Sequence, residues 1–111
     1  MPSAAPSIVV IGGVNTDMMV EVPHLPRAGE TVTGGGFVTM PGGKGANQAV
    51  AAARLGAGVR FVGKVGRDSF GDATAANLQR YGMDLRGLCH DAVEPSGVAL
   101  IVVDTQGENA I

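Results

Sequence analysis

With one cysteine, no tryptophan, one tyrosine and three phenylalanines in 111 residues, the chain is poor in several things at once. The single Cys89 excludes an internal disulfide, which points to a reducing, cytoplasmic setting and a small buried thiol. No charged start followed by a long apolar stretch marks a signal peptide, and no apolar run approaches the ~18 residues of a membrane span. No membrane is therefore expected as a partner. Eight basic residues against ten acidic ones give a net charge of −2, so there is no basic footprint and no nucleic-acid partner is expected. His24 and His90 lack companions at metal-ligand spacing and read as surface residues, so no metal site is assigned. Scarce aromatics within a 45% apolar composition rich in alanine suit close helix-on-sheet packing.

What the chain does have is glycine, eighteen of them, and these punctuate its elements. Residues 1–7, "MPSAAPS", read as a disordered tail. "IVVI" (8–11), all apolar and closed by Gly12-Gly13, reads as a central strand buried on both faces. "DMMVEV" stays extended up to Pro23, "PHLPRAGE" is loop, and "TVTGGGFVTM" (31–40) reads as a glycine-weakened strand. A helix is predicted from about Ala46 to Leu55 with Gly56 as its stop, then a strand at "VRFVGKVG". Asp68 caps a second helix, with Phe70, Ala73, Thr74, Leu78 and Tyr81 at near-helical spacing and Gly82 ending it. "SGVALIVVD", the turn "DTQG" and "ENAI" make a strand and its return. This βαβ rhythm predicts an α/β fold with a parallel sheet. Because the sequence stops in mid-element, a truncated domain is expected, its C-terminal half absent.

The segment "PGGKGANQAVAAARLGA" (41–57) carries the ligand question. A Walker loop would need glycine where Val38 stands and Ser or Thr where Gly45 stands. The dinucleotide fingerprint begun at Gly43 meets Gln48 where Gly or Ala is required. Neither a P-loop nor a dinucleotide site fits. Ahead of it, "NTD" places Asn15 and Asp17 two apart, hence on one side of an extended backbone, past the carboxyl end of the first strand, where open α/β sheets bind ligands. Asn15, Asp17, the amides near Gly43, Lys44 and Asn47 together offer both donors and acceptors. That mixture suits a polyol, whose hydroxyls do both, whereas a phosphate would want donors only and Asp17 would repel it. The bland alternatives are a tight structural turn at "GGKGANQA", turn-capping by Asn15 and Asp17, and a solvated Lys44.

These residues carry a resemblance. "GGKGANQAVAAARLGA", preceded by "GGVNTDMMVEV" and "GETVTG" and followed by "GRDSFG" (66–71) and "GVALIVVD", resembles the ribokinase family of carbohydrate kinases, of phosphofructokinase-B type, over about Ile8 to Ile111. "NTD" together with "GGKGANQA" is most similar to the ribose-phosphorylating members. The resemblance implies a partial doubly wound α/β fold, with a parallel central sheet and a small β lid from strands at about 18–22, 31–39 and 97–111. It implies sugar binding by the residues matching Asn15, Asp17, Gly43, Lys44 and Asn47, with Ala99 and Ile101 as apolar contacts, and a homodimer formed through the lid. The implied reaction converts ribose to ribose 5-phosphate with ATP, Mg²⁺ and a monovalent cation such as K⁺. The family's general-base aspartate sits in a "GAGD"-type motif that these 111 residues lack. No catalytic, cofactor-binding or metal residue is therefore assigned, and the chain alone is expected not to be catalytic. A kinase for another sugar or a nucleoside, and a non-catalytic sugar-binding or dimerising module, are the alternatives.

Overall fold

The computed structural model describes residues 6–111; the N-terminal part of the expected tail, residues 1–5, lies outside them. In chain order the elements are β1 (Ser7–Ile11), β2 (Asn15–Glu21), β3 (Phe37–Gly42), α1 (Lys44–Arg54), β4 (Gly58–Gly66), α2 (Ser69–Arg80), β5 (Asp84–Asp91), β6 (Val98–Val103) and β7 (Asn109–Ala110). Two compact units result, one of residues 6–16 and 41–97, the other of 17–40 and 98–111.

The first unit is built on a parallel sheet of order β1-β4-β5. Alternation along β4 puts Val59, Phe61 and Val65 on one face, where they form a single cluster with Ala46 and Ala49 of α1, Leu78 of α2, and Met83 and Leu88. Both helices therefore cover the same face. Within these residues the winding is one-sided, and Arg60 and Lys64 on the other face are exposed. Alanines at 46 and 49 let α1 lie close to the sheet, where Phe61 and Leu78 supply the largest fully buried side chains.

Several boundaries differ from expectation. Among the described residues the strand predicted to be central lies at the edge of its sheet: β1 pairs there with β4 alone, and its outward-facing Val9 and Ile11 are 56% and 78% exposed. It begins at Ser7, and the Pro6 carbonyl already accepts the Gly58 N–H at 2.7 Å, so pairing takes in the last two residues of the expected tail. Residues 31–36 are not strand. The glycine run there has no side chains to pack, and pairing survives only at Glu21, which accepts from the Gly35 N–H and donates to the Gly36 carbonyl. Cys89, expected to be buried, is exposed, because it lies on the β5 edge strand between buried Leu88 and exposed His90.

The second unit holds most of a four-stranded sheet of order β3-β2-β6-β7. β6 and β7 form the expected hairpin, Val102 opposite Ala110 and Val103 opposite Asn109. Asp104 closes its turn, accepting from Gln106 and Glu108 N–H groups, with Gly107 at φ 82°.

Candidate functional site

Glycine packing against glycine puts the start of α1 at the carboxyl end of β1. A methyl group on Gly45 would lie 2.8 Å from the Gly12 Cα and 2.9 Å from the Gly13 N, so no side chain can stand there without moving backbone. Gly43 is the N-cap residue of α1 at φ 101°, a conformation that L side chains rarely adopt, and a Cβ on it would meet the Gly13 carbonyl oxygen at 2.6 Å. The Ala46 N–H donates to that same oxygen at 3.1 Å, and Asn47 N–H donates to the Gly43 carbonyl at 2.9 Å. With no side-chain cap on α1, its first turn is held by the β1–β2 corner.

This arrangement gathers part of the predicted set. Gly43 abuts Val14, the residue before Asn15. Asn15, half-buried, opens β2 beside Gly97, on which a methyl group would sit 3.4 Å from the Asn15 Cβ. Lys44 and Asn47, three apart on α1 and both exposed, share a helix face. Asp17, also half-buried, leaves β2 on the same side as Asn15 and belongs to the second unit. That unit also carries Ala99 and Ile101 on one side of β6, half-buried, while Val98 and Leu100 on the opposite side are 40% and 66% exposed.

Sequence reasoning missed the residues that pack against the predicted ones: Gly12, Gly13 and Gly97. The Gly97 carbonyl accepts the Thr16 N–H at 3.1 Å. The double glycine after β1 was the available signal, since a glycine loop can approach backbone closely only where its partner also lacks side chains.

Asp68 caps α2 as expected, Oδ1 accepting the Gly71 N–H at 2.8 Å. It does more: Oδ2 accepts the Ser96 N–H at 2.9 Å and Oδ1 the Ser96 hydroxyl at 2.7 Å. Bonds from Ser96 and then Gly71 hold its carboxyl below the usual carboxylate range. His24 pairs with Glu30 at 3.1 Å on the surface. Among the described residues no three His, Cys, Asp or Glu side chains gather as a metal ion would require, and no helix is long and apolar enough to cross a membrane.

A family profile described as pfkB family carbohydrate kinase matches residues 5–111. The chain is similar to the ribokinase of Bacillus subtilis strain 168, 50% identical over 110 residues, which cover 95% of this chain and 36% of that protein. It is 40% identical over 104 residues to the deoxyribokinase of Salmonella typhi, across 94% of this chain and 34% of that one. Its fold matches the crystal structure of Arabidopsis thaliana ribokinase complexed with ribose and ATP, with a TM-score of 0.87 and 38% identity, covering 96% of this chain and 35% of that one. The chain thus spans about a third of the length of these relatives.

Proposed function

The chain belongs to the pfkB family of carbohydrate kinases, and from that membership we propose that it is the sugar-binding portion of an ATP-dependent ribose kinase. The observation that carries the reading is the corner where Gly12-Gly13, Gly43 and Gly45 interlock, with Asn15 at one side and Lys44 and Asn47 at the other. In this reading the Asp17 carboxylate accepts O–H bonds from neighbouring ribose hydroxyls. The Asn15 and Asn47 carboxamides each donate and accept, Lys44 donates, and the backbone at Gly43 completes the polar contacts. Ala99 and Ile101 supply apolar contacts to the carbon skeleton.

Such residues bind and orient the acceptor sugar, and positioning together with electrostatic stabilisation makes up most of phosphoryl-transfer catalysis. The "GAGD"-type base and its anion hole have no counterpart in these 111 residues. The ATP, Mg²⁺ and K⁺ of the full reaction are accordingly assigned to no residue here, and the chain by itself is proposed to bind sugar without phosphorylating it. Exposed Phe37, Val38, Met40 and Leu100 in the second unit support self-association as a homodimer. The proposed setting is the cytoplasm.

A second reading, a 2-deoxyribose kinase, is favoured by the 40% identity to a deoxyribokinase. A thermal-shift panel separates the two, because a ligand that binds only the folded form raises Tm. D-ribose is expected to give the largest rise among D-ribose, 2-deoxy-D-ribose, D-fructose and adenosine, and Asp17→Ala to abolish it. A larger rise with 2-deoxyribose would transfer the assignment to the second reading; a rise with adenosine alone would remove both.

A further inference from the structure

Sugar binding leaves the segment Gly66–Gly71, "GRDSFG", with no task beyond capping a helix. Yet three of its residues close on Ser96, which lies 28 positions after Asp68. Asp68 accepts both the Ser96 N–H and its hydroxyl, at 2.9 and 2.7 Å, while the Gly66 N–H donates to the Ser96 Oγ at 2.9 Å. Donating one bond and accepting another, that hydroxyl is held in one rotamer. The two glycines make the room: a Cβ on Gly66 would lie 2.5 Å from the Ser96 N, and one on Gly71 would be 3.2 Å from the Ser96 Oγ and collide with the Gly66 carbonyl. Capping α2 needs only the Gly71 N–H bond, so the remaining contacts serve Ser96.

The residue after Ser96 reaches the candidate site. The Gly97 carbonyl accepts the N–H of Thr16, which belongs to the peptide joining Asn15 to Thr16, and the Gly97 α-carbon faces the Asn15 Cβ. All five residues, Asn15, Thr16, Asp68, Ser96 and Gly97, lie in the first compact unit.

We propose that Asp68 and Ser96 are positioning residues for the sugar site: the bonds that clamp Ser96 fix Gly97, and Gly97 fixes the peptide that presents the Asn15 carboxamide. The proposal rests on the sugar-binding reading above and adds to it two residues that touch no sugar.

Two variants of the chain separate clamp from cap. Asp68→Ser keeps a good N-cap acceptor but is too short to hold Ser96, and Ser96→Ala leaves the cap untouched. Amide hydrogen exchange at Thr16, the side-chain amide resonance of Asn15, and D-ribose affinity are measured on the same samples, with the Leu78 amide as the reference for intact packing. The expected result is Thr16 exchange about tenfold faster in both variants, a moved Asn15 resonance, ribose binding ~3- to 30-fold weaker, and Leu78 protection as in the wild type. Unchanged Thr16 and Asn15 signals would overturn the proposal. So would looser signals with unchanged ribose affinity, or Leu78 protection falling in step with Thr16, which would mark a purely structural role. Failure of the sugar reading shows separately, as a wild-type chain that takes up no ribose.

Discussion

A single methyl group decides whether the β1–α1 corner can form. Gly45→Ala would drive its Cβ to 2.8 Å from the Gly12 Cα, and the neighbour is backbone, which cannot rotate away. We expect a loss of about 1–3 kcal/mol, typical of overpacking, read as a fall in Tm, together with weakened ribose binding because Lys44 and Asn47 ride on the displaced turn. Wild-type Tm and affinity in this variant would refute the glycine-on-glycine account. Asp68 makes a second prediction at this scale. Its folded pKa lies below the ordinary value near 3.8, so its bonds stabilise the fold fully above that value, and the contribution is lost as pH falls through the folded pKa. Acid unfolding of Asp68→Ser should therefore be less steep below about pH 4 than that of the wild type, as followed by circular dichroism. Identical acid profiles would show that the carboxylate is not held by Ser96 in solution.

At the scale of elements, α1 depends on being small. Ala49 is fully buried between its helix and the sheet, so Ala49→Leu should cost about 1–3 kcal/mol, while Phe61→Ala, emptying the centre of the same cluster, should cost about 3–5 kcal/mol. Urea unfolding checks both, and a neutral Ala49→Leu would mean that α1 stands off the sheet. The two helices were legible in the sequence because their ends carry local signals: Asp68 at one start, and Gly56 and Gly82, both at positive φ, past the two ends. β5 was not. Arg60 pairs with Asp84 but Val62 pairs with Gly87, so β5 carries an extra residue that breaks the alternation by which a strand is recognised. Its inward side chains Leu85 and Leu88 fall three apart, and the ion pairs Arg60–Asp84 and Lys64–Asp91 that bind it to β4 read locally as loop polarity. Thr31–Gly36 erred the other way: β-favouring threonine and valine suggested a strand that three successive glycines do not sustain.

At the scale of the whole molecule, the α/β class, the parallel sheet and the family were readable, since the glycine-rich helix start and the order of segments are properties of the sequence itself. The edge position of β1 among the described residues was not readable, because burial of an apolar strand depends on which neighbours it finds. Nor were Gly12, Gly13, Ser96 and Gly97 as companions of the site, since long-range contacts such as Thr16 to Gly97 leave no local pattern. Outward-facing Val9 and Ile11 on β1, with Phe37 and Leu100 in the second unit, predict that the chain self-associates, and Leu100→Lys should lower the fraction of dimer in sedimentation velocity. A wild-type chain that stays monomeric at high concentration would refute it. The most direct test of the central claim is a titration of the isotope-labelled chain with D-ribose, followed by its amide resonances. Shifts concentrated at Asn15, Asp17 and residues 43–47 are predicted; shifts elsewhere, or none at saturating sugar, would contradict the assignment of that corner as a pentose site.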